Sequence, residues 1–90
     1  MEINVPKEFV VDEVADFRIK INKLIEDGNN NFTFNFRDCI FIDSTGLGAL
    51  VAVYKKCAEK GGSIKLMSLK PDVEKLFKLT RLDKVFEICP

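Results

Sequence analysis

The residues of this chain best suited to chemistry stand together in one stretch, Asp43-Ser44-Thr45-Gly46-Leu47-Gly48. It lies between an apolar run that reads as a strand, Ile40-Phe41-Ile42, and an apolar-periodic run that reads as a helix, Leu47 to Ala58. An oxygen carried on a strand-to-helix turn faces a helix N-terminus, where unpaired backbone N–H groups and the dipole favour a hydroxyl, a carboxylate or an anion. The turn is therefore a place for a cap, a phosphate or a partner.

Most catalytic uses of such a turn fail on composition. A serine nucleophile needs a base, commonly histidine, and the chain has 0 histidines; Ser44 also lacks the Gly-x-Ser-x-Gly frame. Gly46-Leu47-Gly48 opens a helix after a strand as a dinucleotide fingerprint does, but Val51 stands where the third Gly or Ala belongs. No Gly-Lys-Ser/Thr follows, which excludes a phosphate-cradling P-loop. Asp43 as a phosphorylated aspartate would want further carboxylates to hold magnesium, and Asp38 is the only nearby candidate. The 3 cysteines, Cys39, Cys57 and Cys89, are far apart, without Cys-x-x-Cys spacing or a histidine to complete a zinc site. They read as buried or incidental thiols of a reducing cytosol. No catalytic residue, metal site or cofactor is expected.

Two readings of the turn survive. In one, Asp43 or Ser44 caps the helix, contributing ~1 kcal/mol, and Gly46 and Gly48 allow close helix–sheet packing. In the other, Ser44 is also a regulated phosphorylation site. A phosphate would add about −1.5 to −2 charges beside a largely uncharged helix surface, and a partner matched to the neutral surface would lose complementarity.

The elements that must position this turn follow from the rest of the chain. Ninety residues form one small domain, residues 1–90, and the 47% apolar and 31% charged content is that of an ordered globular protein. Basic and acidic residues both total 14, so no net field draws the chain to nucleic acid. No apolar run approaches the ~20 residues of a membrane span, and the start lacks a basic region followed by an apolar core, so no signal peptide and no membrane insertion are expected.

Ile3 and Val5 suggest one short edge strand ended by Pro6. Asp12 then precedes an amphipathic helix carrying Val14, Phe17, Ile21, Leu24 and Ile25, with Gly28 as its stop. Phe32, Phe34 and Phe36 alternate with Thr33 and Asn35; without interleaved basic residues these rings read as core rather than as a base-stacking platform. Whether Phe32–Phe36 and Ile40–Ile42 are one bent strand or two is left open.

The central helix carries Leu47, Leu50, Val51, Tyr54, Cys57 and Ala58 on one side, and the near absence of charge in its first half implies burial on more than one side. Gly61-Gly62 stops it. Ile64, Leu66 and Met67 mark a strand, and Pro71 starts a helix with Val73, Leu76, Phe77 and Thr80 inward. Val85, Phe86 and Ile88 make a last strand. Strands alternating with helices predict an α/β fold with a small, mainly parallel sheet joined by crossover helices. Sites in such sheets gather at the carboxyl ends of strands, where Asp43 and Ser44 fall.

With these residues in view, Phe41-Ile42-Asp43-Ser44-Thr45-Gly46-Leu47-Gly48 and the helix ending in Gly61-Gly62 resemble the STAS domain of bacterial anti-sigma factor antagonists. The segment Pro71 to Leu82 is similar to that family's penultimate helix. The resemblance implies a cytoplasmic protein-binding module, not an enzyme. Ser44 would be the phosphoacceptor of an anti-sigma factor that is itself a serine kinase, and a PP2C-type phosphatase would reverse the modification. The unmodified form would bind the anti-sigma factor and free a sigma factor. Asp43, Ser44, Thr45, Gly46, Leu47 and Gly48 would form the docking turn.

Against the family pattern the fold is expected to be truncated at both ends. Only one strand fits where the family opens with a hairpin, Val10 falls about where an acidic loop ends in Asp, and no final helix precedes Pro90. The sheet would then have an exposed edge and an uncovered apolar face, which homodimerisation or a bound partner could cover. The alternative use of a STAS domain is as an accessory subunit of a membrane transport complex, such as a lipid-trafficking ABC system, or as a signalling scaffold without a phosphate cycle.

Overall fold

Alternation shapes the sheet. In the computed structural model, which describes residues 1–89, strand β3 (Asn31–Asn35) turns Phe32 and Phe34 to one face. Strand β5 (Ser63–Met67) pairs with it in parallel, setting Ile64 beside Phe32 and Leu66 beside Phe34. The parallel edge strands β1 (Glu2–Asn4) and β6 (Glu87–Ile88) add Ile3 beside Phe34 and Ile88 beside Leu66. The strand order is β1-β3-β5-β6.

The helices bury this apolar face. Helix α1 (Val11–Glu26) presents Val14, Phe17, Ile21 and Ile25, with the Phe17 ring centroid 5.4 Å from that of Phe34. Helix α2 (Ser44–Glu59) packs beside α1, and helix α3 (Pro71–Leu79) contributes Val73 and Phe77. Edge-to-face aromatic pairs carry the core onward: Phe36 to Phe77 at 5.9 Å, Phe77 to Phe86 at 6.0 Å and Phe86 to Tyr54 at 5.6 Å. Each such pair adds roughly 0.5–1.5 kcal/mol beyond its burial.

The opposite face of the sheet is polar. The residues in register across all four strands are Glu2, Thr33, Lys65 and Glu87, and the next row is Asn4, Asn35 and Met67. Lys65 pairs with Glu87 at 3.5 Å, and Asn35 Nδ2 donates to Glu2 Oε2 at 3.3 Å. The expected uncovered apolar face is thus corrected: the open face is hydrophilic because the strands alternate, unlike the continuous apolar strands of parallel sheets covered on both sides.

Three further expectations are settled or changed. A second N-terminal strand exists, β2 (Glu8–Phe9), and it pairs in parallel with β4 (Phe41–Ile42) in a separate two-stranded ladder. Phe32–Phe36 and Ile40–Ile42 therefore belong to two strands. The break comes where Asn35 Oδ1 accepts the Arg37 N–H at 2.9 Å and the Cys39 N–H turns back to the Phe36 carbonyl at 3.0 Å. Helix α1 begins at Val11, with Val10 at the cap position and no side-chain cap; Asp12 lies inside the first turn.

The inner faces of two helices also shift. The buried line of α2 is Gly46, Ala49, Leu50, Val53 and Cys57, while Leu47, Val51 and Tyr54 are half-buried and Ala58 is exposed. With nearly every residue of its first half uncharged, that helix offered no polar face to fix its rotation. In α3, Val73 and Phe77 are buried and Leu76 is half-buried; Thr80, expected on the inner face, is instead the exposed residue that follows the helix, its hydroxyl donating to the Leu76 carbonyl at 2.8 Å.

Candidate functional site

The turn from β4 into α2 is built by the short β2–β4 ladder. The Lys7 carbonyl accepts the Ile40 N–H at 2.8 Å, and the Phe9 carbonyl accepts the Asp43 N–H at 3.5 Å. Asp43 is extended (φ −105°, ψ −175°) and occupies the N-cap of α2. Its carboxylate accepts the Gly46 N–H at 3.0 Å, and its carbonyl accepts the Leu47 N–H at 3.1 Å. Between the two candidate caps the structure decides for Asp43.

Ser44 is consequently the first residue of the helix, exposed, with its hydroxyl outside any side-chain hydrogen bond among the described residues. Thr45 is exposed beside it. Helices α1 and α3 carry Asp12, Glu13 and Asp72, Glu74 in their first turns, whereas the first turn of α2 has no acidic residue. Apart from the Asp43 carboxylate, nothing within that turn offsets the positive end of the helix dipole.

The two glycines of the turn serve different purposes. A Cβ on Gly46 would lie 2.7 Å from the Phe9 carbonyl oxygen and 2.8 Å from both Ile42 Cγ1 and Phe9 Cδ2. Gly46 is buried and lets the helix start sit directly on the β2–β4 ladder. Gly48 is exposed, and a Cβ there would meet nothing within 4 Å. The expectation that both glycines serve packing holds for Gly46 only; Gly48 leaves a helix interior position without the ~1 kcal/mol that alanine would contribute.

Beyond the Asp43 carboxylate and Thr45, the helix surface that follows Ser44 carries no charge for about three turns. Ile40, just before β4, and Phe41, the first residue of β4, are 50% and 52% exposed. Along the helix Ser44 and Gly48 are exposed and Val51 and Ala52 half-buried, and the first charge is Lys55, about 16 Å from Ser44 along the axis. Leu47, half-buried, packs against the core. Sequence reasoning did not single out Ile40 and Phe41 as site residues: a two-residue strand reads as core until its partner, Glu8–Phe9, is known to be so short that one side stays open.

Beneath the turn, Cys39 is buried and its thiol lies 3.5 Å from the Phe41 carbonyl; burial raises its pKa above the usual thiol value despite that contact and the nearby Lys70. Cys57 is likewise buried and raised. Among the described residues, no three of His, Cys, Asp and Glu converge as metal ligands. Among the described residues, no helix is long and apolar enough to cross a membrane.

Comparison with known proteins places the fold. The STAS domain family model matches residues 1–90. The chain is 32% identical over 88 residues to the anti-sigma-B factor antagonist of Bacillus subtilis, covering 98% of this chain and 80% of that protein. It superposes with a TM-score of 0.88 on a Thermotoga maritima protein classed as an anti-sigma factor antagonist, at 26% identity, covering 97% of this chain and 77% of that one. The Bacillus cell fate determinant SpoIIAA in its phosphorylated form shares the fold with a TM-score of 0.78 at 23% identity, over 99% of this chain and 81% of that one. The small, mainly parallel sheet and its three helices match the architecture of these proteins, and the chain belongs to the STAS domain family as a relative of its anti-sigma factor antagonists.

Proposed function

We propose that this protein is an anti-sigma factor antagonist whose binding is switched at Ser44. Unmodified, it docks on an anti-sigma factor through Asp43, Ser44, Thr45, Gly46, Leu47 and Gly48, so that a sigma factor is released. The observation that carries this reading is the capping of α2 by Asp43, which leaves the Ser44 hydroxyl free and exposed at the first helical position. The relationship to the anti-sigma-B factor antagonist supplies the partner class. The role is regulatory binding rather than catalysis, exercised in the cytoplasm where the partner holds its sigma factor.

The switch is a phosphoryl transfer performed by the partner. The Ser44 Oγ attacks the γ-phosphorus of ATP bound to the anti-sigma factor kinase, an O–P bond forms, the bond to the β-phosphate oxygen breaks, ADP leaves and the hydroxyl proton passes to a base of the kinase. The new dianion lies at the positive end of α2, so the helix tolerates it. The docked complex does not, because about −1.5 to −2 charges appear in the centre of a surface made of Phe41, Leu47, Gly48 and Val51. A PP2C-type phosphatase hydrolyses the ester and restores docking.

Ile40 and Phe41 flank the turn as apolar anchors for the partner, extending the surface beyond the turn itself. The open face of the sheet is polar, so any second copy of the chain would meet this one at an exposed edge or apolar surface patch rather than across that face. The test is phosphopeptide mass spectrometry after incubation with the anti-sigma factor kinase and ATP, with binding of the kinase to wild type and Ser44→Asp measured in parallel. Phosphate on the peptide containing Ser44 and weaker binding of Ser44→Asp are expected. Equal binding of both forms with no phosphate at Ser44 would sink the switch.

A further inference from the structure

We infer that Gly48 is a clearance residue for the phosphoryl-transfer site: its missing side chain lets the kinase bring ATP onto the Ser44 hydroxyl. The inference rests on the reading of Ser44 as phosphoacceptor and adds the residue that controls access to it.

Three observations combine. Gly48 lies four residues after Ser44 and so on the same side of α2, one turn above it. Side chains on a helix tilt toward its N-terminus, so any side chain at position 48 would lean over the turn that carries the Ser44 hydroxyl. In the free protein nothing requires glycine there: the residue is exposed, its φ is not left-handed, and an added Cβ meets no atom within 4 Å. Gly46, two residues earlier, is the opposite case, with three contacts closer than 3.0 Å to any added Cβ. A glycine that weakens the helix and relieves no internal contact points to something outside the molecule that must come close.

The required closeness is set by the chemistry. In-line transfer needs the γ-phosphorus within about 3–3.5 Å of the attacking oxygen, so the kinase groups that hold the phosphates lie against the first turn of α2. Most of the other neighbours of Ser44 are already small or withdrawn: Thr45 is a short polar side chain, Gly46 is buried and Leu47 turns partly into the core. Position 48 is therefore where bulk would obstruct the approach.

Kinetics and stability measured on the same variants test this. Gly48→Ala raises Tm by about 4 °C, because alanine is the better helix former. The same change slows phosphoryl transfer to Ser44 at least about tenfold when the purified chain is mixed with its anti-sigma factor kinase and labelled ATP. Gly48→Leu slows transfer further. Ala58→Leu, equally exposed on the same helix but far from Ser44, leaves the rate within about twofold of wild type. A lower Tm for Gly48→Ala, with the lost helicity visible by circular dichroism, would show that glycine serves the fold and overturn the inference. Wild-type rates for Gly48→Ala and Gly48→Leu overturn it also, while the Ser44 reading stands. No transfer to wild-type Ser44 overturns both.

Discussion

The Asp43 carboxylate accepts the Gly46 N–H at 3.0 Å, and this single contact separates the capping residue of the turn from Ser44, whose hydroxyl it leaves free. Because Asp43 performs the capping, the Ser44 hydroxyl is dispensable to the fold. Asp43→Ala is expected to destabilise by about 1 kcal/mol, lowering Tm by roughly 4–8 °C, and Ser44→Ala by no more than about 0.5 kcal/mol. Thermal denaturation of the two variants checks the assignment. The reverse order would make Ser44 the cap.

Gly46→Ala is expected to destabilise by about 1–3 kcal/mol. The added methyl enters the space of the Phe9 carbonyl, 2.7 Å away, and the backbone there cannot move without breaking the β2–β4 ladder. Urea titration gives the free energy directly. A midpoint equal to wild type would mean that α2 can shift without cost.

Ser44→Asp places a negative charge at the first position of α2 and is expected to leave stability unchanged or raise it by about 0.3–1 kcal/mol. Binding to the anti-sigma factor falls in the same variant. Loss of both stability and binding would indicate that the acidic residue disrupts the fold, not the interface.

Phe41→Ala separates docking from folding. The ring is 52% exposed, so stability should change by less than about 1 kcal/mol, while partner affinity measured by titration calorimetry falls at least about tenfold if the ring anchors the complex. Unchanged affinity would remove Phe41 from the docking surface.

The thiols make an alkaline limit to stability. Burial raises the folded pKa of Cys39 and Cys57 above the ordinary 9.0. As pH climbs past that value the unfolded chain loses these protons first, so it binds fewer than the native state and stability declines. Below the ordinary thiol range the contribution is complete. Tm is expected to fall as pH rises above 9.0, with a smaller fall in a Cys39→Ala/Cys57→Ala variant. Alkylation of the native protein should reach half-buried Cys89 before either buried thiol.

Much of the fold was legible because short-range patterns carry it. Phe32-Thr33-Phe34 and Ile64-Lys65-Leu66 alternate, Val14, Phe17, Ile21 and Ile25 recur at helical spacing, and Pro71 stands at the first position of α3. The same alternation, followed through, marks one face of the sheet as polar; the expectation of an uncovered apolar face came from the family pattern instead. Strand β2 was not legible, since Glu8-Phe9 has no local signal and exists only because β4 lies beside it.

At the site, the chain on its own determined which residues meet at the turn, and its lack of histidine turned the reading away from nucleophilic catalysis. Tertiary structure alone decided which oxygen caps, which glycine packs and which apolar residues remain open. Those choices depend on the rotation of α2 against Phe9 and Ile42. A helix start with no charged residue from Ser44 to Tyr54 has no polar face to fix that rotation; close contact with a strand 35 residues earlier sets it instead.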